Sequence, residues 1–279
     1  MKAYYARAGV PSARWHLVTD IEAGRQFIKE VGYPVIVKPD DGMGAAATWK
    51  LHNDEELQEF YRKDLPTQYI MEEFVVGTIV SFDGIVDQDN NIIFETSHTF
   101  PLAIMDIVND ETECYYWSER EIPAQLKQRG SAVVHAFDIR GRFFHTEYFR
   151  LTEDKAGLGR KGDYVGLEVN MRPPGGFTLD MMNFANDIDV YQIYADMAMH
   201  NKAEYHTERP YCCVYAARRD GLNYIRSEAE IYAKYGSAIR MHRRNPGIIA
   251  DAMGNEFYVA CVQDSPQAEE FIRFVLEKA

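Results

Sequence analysis

A chain of 279 residues, 46% hydrophobic and 26% charged, is long enough to bury a core and has the composition of a globular enzyme or binding protein. Its formal net charge of -13 argues against nucleic acid or an anionic membrane as the main partner. The opening "MKAYYARAGVPSARW" has no apolar core of signal-peptide length, and no apolar run approaches the roughly 20 residues of a membrane span.

Helical and strand patterns alternate from end to end, which predicts a mixed α/β or α+β architecture. Thr19 and Glu22 form a capping box ahead of "IEAGRQFIKEVG", and Gly32 stops that helix. "PVIVKP" is a short buried strand ending near Lys38, followed by a glycine-containing loop. Asn53 and Glu56 start a second helix, and "QYIMEEFV" returns as a strand. These segments predict a first lobe over residues 1–74. "IVSFDGIVDQDNNIIFETSHT" is a hairpin turning at Asp89, Asn90 and Asn91.

A helix is expected around 120–137, then a strand "FFHTEYFRL", a glycine-rich connection "TEDKAGLGRKGDY" and a strand "GLEVNMR" closed by Pro173, Pro174, Gly175 and Gly176. "TLDMMNFANDIDVYQIYADMAMH" reads as two helices split near Asp187, closing a second lobe over 75–204. The remainder, 205–279, reads as a small α/β segment with strands at 211–218 and 256–263. Its last helix is expected to be capped by Ser265, with Pro266 at the first helical position. The basic run "MHRRN" (241–245) reads as a solvated face. Cys114, Cys212, Cys213 and Cys261 show no paired spacing for zinc or redox work, and Cys212 and Cys213 read as small buried hydrophobes. A reducing, cytoplasmic compartment is the expectation.

The chemistry concentrates in two strands. Period-two alternation puts Leu167, Val169 and Met171 on one face and Glu168, Asn170 and Arg172 on the other. In the other strand Phe143, His145, Glu147, Phe149 and Leu151 share a face. Paired as an antiparallel hairpin, the strands set Glu147 across from Glu168 and Asn170. Two carboxylates and an amide oxygen brought together repel unless a cation sits between them, and hard oxygen ligands suit Mg²⁺. The plainer alternative is a solvent-facing polar strand with a Glu168–Arg172 ion pair. The fork of Arg172 matches phosphate oxygens.

Lys38 is suited to phosphate oxygens beneath a flexible loop of Gly42, Met43, Gly44 and Ala45, although the Gly-Lys-Ser/Thr run of a Walker loop is absent. In "YIMEEFVVG" a strand leaves the first lobe, and backbone at such a crossing can read an adenine edge with Glu72 or Glu73 nearby. Read alone, those glutamates are a charged strand exit. His145 is either a substrate-side residue or a hydrogen-bonded core histidine. The connection carrying Lys155, Arg160 and Lys161 is either a lid or a solvated loop.

In this order (lysine and glycine loop, Glu-Glu hinge, strand glutamate, then Glu-x-Asn-x-Arg) the whole chain resembles the ATP-grasp superfamily, in which two α/β lobes hold ATP between them. The resemblance implies an α+β ATP-grasp fold with a small C-terminal α/β segment. It implies that Lys38 contacts the α/β phosphates, that Gly42 to Ala45 cover them, and that Glu73 with the backbone of Phe74 and Val75 holds adenine or ribose. Glu147, Glu168 and Asn170 would bind Mg²⁺ (or Mn²⁺), and Arg172 would stabilise the transferred phosphate. "HTEYF" and "EVNMRPPGG" look most like carboxylate–amine ligases and the large chain of carbamoyl phosphate synthase. The implied activity is ATP-dependent conversion of a small carboxylate into an acyl phosphate for attack by an amine or similar nucleophile. The alternative is an ATP-binding subunit of a split carbamoyl-phosphate-synthase-like enzyme, or a nucleotide-binding module inactive alone.

Two departures from the family pattern stand out. Relatives usually place an N-terminal α/β domain and an ATP-contacting lysine ahead of "ARAGVP", and the spacing of Lys2 to Gly9 looks too short for that lysine. Relatives also commonly carry a polar residue for the ribose near Ile79. The expectation is therefore an exposed apolar patch near Tyr4, Tyr5 and Val10, covered by a second copy or by a separate N-terminal-domain chain.

Overall fold

Two antiparallel sheets organise the chain in a computed structural model that describes residues 1–40, 47–103, 107 and 111–279. The expected phosphate loop of Gly42, Met43, Gly44 and Ala45 lies outside the described residues. After helix α1 (Lys2–Arg7), the first sheet has the order β1-β4-β2-β3, with β1 at Trp15–Leu17, β2 at Val35–Pro39, β3 at Trp49–Leu51 and β4 at Tyr69–Glu73. Helices α2 (Ile21–Val31) and α3 (Asp54–Tyr61) bury Phe27, Ile28, Leu57 and Phe60 against Val35, Val37 and Met71 of this sheet.

Asn53 caps α3 as its sequence suggests, accepting from the amide of Glu56 at 2.9 Å. The cap of α2 differs from expectation. Asp20, not Thr19, stands in extended conformation just before the first helical residue, and it accepts from the amide of Ala23 at 3.0 Å.

The second sheet has eight strands in the order β11-β12-β10-β7-β6-β5-β8-β9. Its strands are β5 (Gly77–Val86), β6 (Ile92–Phe100), β7 (Tyr115–Ser118), β8 (Arg142–Leu151), β9 (Tyr164–Asn170), β10 (Cys212–Arg218), β11 (Ile239–Arg244) and β12 (Glu256–Val262). The strands of segment 205–279 are continuous with those of segment 75–204, since β10 pairs with β7 through Val214 and Trp117. The basic run lies mainly on edge strand β11, where Arg243 and Arg244 are exposed and the ring of His242 stacks on Tyr258 at 4.1 Å.

Helix α4 (Ala124–Ala136) covers one face of this sheet, burying Leu126 and Val133 against Phe82 and Phe144. Helices α5 (Thr178–Asn186) and α6 (Val190–His200) cover the other, burying Met182 and Ile193 against Ile85 and Phe143. The left-handed Asp187 (φ 51°) turns one into the other. Helices α7 (Glu228–Tyr235), α8 (Gly247–Met253) and α9 (Ser265–Val275) complete the chain. The last is capped by Asp264, which accepts from the amide of Gln267 at 3.0 Å; Ser265 is the first helical residue and Pro266 the second, one place later than the sequence suggests. No helix among the described residues is long and apolar enough to cross a membrane.

The N-terminal helix overturns one expectation. Tyr5 is fully buried and Val10 nearly so, in the core that α4 forms with the second sheet. Gly166 makes the room: a Cβ there would lie 2.3 Å from the Tyr5 ring. Tyr4 stacks on Phe137 at 4.6 Å yet stays exposed at 40%, as expected for that residue alone. Tyr5 of α1 thus finds its packing partner within this chain.

Candidate nucleotide and metal site

Strands β8 and β9 pair antiparallel with Glu147 directly opposite Glu168 and His145 opposite Asn170. The next rung joins Tyr148 to Gly166, so Leu167 is an extra residue, a bulge beside the carboxylate pair. Burial, and then the charge of Glu147, push the carboxyl of Glu168 above its usual range, while a hydrogen bond from Asn170 works against that rise. Among the described residues no three His, Cys, Asp or Glu side chains are grouped to hold a metal. The set present is two carboxylates and an amide oxygen. Its all-oxygen chemistry and its mutual repulsion fit a hard dication.

Behind Glu147 stands a group that sequence reading did not identify. Asp83, on central strand β5, is fully buried and directly opposite His145. Its Oδ1 lies 2.5 Å from Nδ1 of His145 and its Oδ2 2.8 Å from Nδ1 of the buried His98. The hydroxyl of Ser81 also donates to Asp83. His145 reaches on through Nε2 to Glu147 at 3.0 Å. Burial alone would push Asp83 up; the charge of His145 and hydrogen bonds to both histidines overcome it and hold the carboxyl at about 2. Burial likewise works against charge on His145, but Asp83 and then Glu147 raise it to about 10. At neutral pH an imidazolium is therefore wedged between two carboxylates, and it ties Glu147 to the middle of the sheet. The signal available in "IVSFDG" was a serine and an aspartate sharing one face of a strand whose other face is apolar.

The first sheet contributes cations. Lys38 on β2 reaches Glu72 on β4 with its ammonium 2.6 Å from the carboxylate, and Lys2 of α1 pairs with the other oxygen of the same carboxylate. Burial would raise Glu72, but Lys38 and Lys2 outweigh it and lower its pKa. The ammonium of Lys2 is itself lowered, by burial first and by the neighbouring charge of Lys38. Lys2, whose spacing to Gly9 looked unsuitable, thus stands beside Lys38. Glu73 is occupied differently: its carboxylate accepts from the amide and the guanidinium of Arg14, each at 2.7 Å. Next along the chain, the ring of Phe74 lies beneath the ammonium of Lys50 at 4.0 Å, and Val75 is buried against Leu158 and Leu151.

The connection at 152–163 is packed, neither a free lid nor a wholly solvated loop. Leu158 is buried, Lys155 comes within 3.8 Å of Glu73, and Asp154 and Asp163 accept from the amides of Lys161 and Arg160. Arg172 lies just past β9, exposed, with its guanidinium donating to the carbonyl of Pro173 at 2.9 Å. The turn after it is pinned by the hydroxyl of Thr178 donating to the carbonyl of Gly175, and by Gly176 (φ +62°), where a Cβ would meet Met253 at 2.7 Å. The structure thus gathers Glu147, Glu168, Asn170 and His145 on one sheet and Lys38 with Glu72 on the other.

Residues 16–134 match the family described as the ATP-grasp domain. Over 88 residues, 30% of this chain, the sequence is 31% identical to the carbamoyl phosphate synthase large chain of Clostridium acetobutylicum, and the matched stretch spans only 8% of that protein. Three-dimensional similarity extends over nearly the whole chain. The biotin carboxylase domain of the Hydrogenobacter thermophilus 2-oxoglutarate carboxylase, solved with MgADP and bicarbonate, superposes with a TM-score of 0.68 at 18% identity, covering 98% of this chain and 63% of that one. An L-amino acid ligase from Bacillus licheniformis gives 0.70 at 15% identity, with 97% and 68% covered. The N5-carboxyaminoimidazole ribonucleotide synthetase of Thermotoga maritima gives 0.63 at 15%, with 97% and 68% covered.

Proposed function

We propose that this chain, which has the ATP-grasp fold and carries an ATP-grasp domain, is an ATP-dependent ligase that activates a small carboxylate as an acyl phosphate for attack by an amine or similar nucleophile. The observation that carries the reading is the opposed pair Glu147 and Glu168, backed by a buried imidazolium, on one sheet, with two lysines converging on Glu72 on the other. In the proposed division, residues 1–74 and 75–204 hold ATP between them and 205–279 extends the second sheet. The four free cysteines support a reducing, cytoplasmic setting.

In this reading the backbone of 73–75 holds the adenine edge, Lys38 and Lys2 meet the phosphates, and Arg172 meets the one that is transferred. Glu147, Glu168 and Asn170 would hold magnesium, which supplies charge neutralisation along the phosphates. Asp83 and His145 position Glu147 for that purpose. The acceptor carboxylate oxygen forms a bond to the γ-phosphorus as the bond to the ADP oxygen breaks. The amine then displaces phosphate from the acyl phosphate.

Calorimetry with Mg·ATP, followed by phosphate-release assays over a panel of small carboxylates and amines, tests this. Binding that weakens in Glu168→Gln, together with release stimulated by a carboxylate, is expected. Unchanged Mg·ATP binding in that variant removes the metal assignment. Tight Mg·ATP binding with no carboxylate-stimulated release points instead to a nucleotide-binding module.

A further inference from the structure

Cys213 on β10 and Cys261 on β12 are direct cross-strand partners. The amide of Cys213 donates away from β12, to the hydroxyl oxygen of Ser118 at 2.8 Å, and the amide of Cys261 donates away from β10, to the carbonyl of Ala238 at 2.9 Å. The two residues therefore occupy a non-hydrogen-bonded rung of the ladder. On such a rung the Cα atoms stand about 4.5 Å apart and the side chains make their nearest approach. That separation lies within the roughly 4.4–6.8 Å that a disulfide spans without backbone movement.

The other two cysteines lack this arrangement. Cys212 points to the opposite face of β10, into the core with Val214, Ala216 and Tyr258. Cys114 is fully buried, and burial pushes its thiol up to about 12. Cys261 is shifted toward the thiolate by its thiol contact with Cys213 and, against the opposing effect of burial, by Arg240 of β11, while burial holds the thiol of Cys213 well above its ordinary value. Cys261 is buried, but at 6% it is the most exposed of the four cysteines.

We propose that Cys213 and Cys261 are a redox-modification site that closes reversibly into a cross-strand disulfide, with a peroxide as the oxidant. The Cys261 thiolate attacks one peroxide oxygen, the O–O bond breaks, and after protonation one water leaves with a sulfenic acid on Cys261. The sulfur of Cys213 then displaces that oxygen as a second water, and the S–S bond forms. Both thiol protons end in water, two electrons pass from the sulfurs to the peroxide, and a dithiol reductant reverses the change. The thiol of Cys261 lies 3.8 Å from the carbonyl of Phe184 in α5, a hydrogen bond that closure removes. The site is independent of the proposed ligase activity.

The test is peptide mapping of the full chain after native exposure to hydrogen peroxide, alkylation of remaining thiols, and unfolding. The expected product has lost two hydrogens and joins the peptide of Cys213 to that of Cys261. Cys114 is alkylated only after unfolding, and dithiothreitol restores the parent mass. Cys261→Ser should abolish the cross-link, while Cys212→Ser should leave it intact. The unmodified parent carries the test should either variant fold poorly. The idea is overturned by a disulfide that uses Cys212, by sulfinic acid accumulating on Cys261 with Cys213 still free, or by both thiols surviving peroxide that oxidises free glutathione.

Discussion

The two halves of the candidate site hold opposite excesses of charge. On the first sheet a single carboxylate, Glu72, is shared by two ammonium groups, Lys2 and Lys38. On the second sheet Asp83 and Glu147 flank one imidazolium, and Glu168 stands opposite Glu147. The first half is left wanting an anion and the second a cation. A polyphosphate with its dication satisfies both at once, whereas either component alone leaves one half unbalanced. The halves also differ in depth. Asp83 is sealed in the core, while Lys38 keeps about a quarter of its side-chain surface (26%) open to solvent. Changes at Asp83 should therefore register chiefly in stability, and changes at Lys38 in binding.

The sharpest way to break this contrast is Asp83→Asn. It leaves His145 buried without its main counter-charge, and removing one partner of a buried ion pair costs about 3–5 kcal/mol. Chemical denaturation should show a loss of that order, with the native fold retained at low temperature. A loss within experimental error would mean that the buried pair is not ionised.

Next come the lysines. Lys38→Met and Lys2→Met should each weaken ATP binding by about 1.5–3 kcal/mol, the range for a hydrogen bond to a charged group, while adenosine binding stays nearly constant. Equal losses for ATP and adenosine would take the lysines out of the phosphate site. Lys2→Met separates structure from spacing, because only the fold brings Lys2 to Glu72.

Gly166→Ala probes how α1 is held. Its Cβ would intrude on the Tyr5 ring, and overpacking of this kind costs about 1–3 kcal/mol. Thermal denaturation should register the loss, and Tyr5→Ala placed in the same background should restore part of the local fit.

The pH dependence follows from the same buried pair, and the effect of Glu168 is the smallest. His145 is raised above its usual value to about 10, so its contribution to stability is complete below about 6.5 and is lost as pH climbs through 10. Asp83 is lowered to about 2, so its contribution is complete above about 3.9 and is lost as pH falls through 2. Stability measured by denaturation should show both limbs, with the raised Glu168 costing some stability as pH rises between them, and Asp83→Asn should remove the acid limb and shrink the alkaline one, since Glu147 still faces His145. Glu168 is raised, which means that keeping it ionised at neutral pH costs stability. Glu168→Gln should accordingly raise the Tm slightly in the absence of magnesium, and an unchanged or lower Tm would show that the two carboxylates do not repel.

The alternation in "FFHTEYFRL" and "GLEVNMR" determined which side chains share a face, because that periodicity is a property of a single strand. Turn residues at 89–91 and the Asn53 cap were equally local and equally legible. Which strands adjoin, and in what register, was decided only by tertiary packing. Asp83 and His98 lie 15 residues apart in sequence and Asp83 and His145 lie 62 apart, so no window along the chain displays them as one hydrogen-bonded group. The bulge at Leu167 also waits on the partner strand, since an extra residue exists only relative to the ladder it interrupts. Lys2 reaches Glu72, and Tyr5 finds the space over Gly166, through contacts between elements more than sixty residues apart. Side-chain periodicity is written residue by residue; the partner across a ladder or a packed face is chosen by the burial of the whole core, and that choice assembled the site.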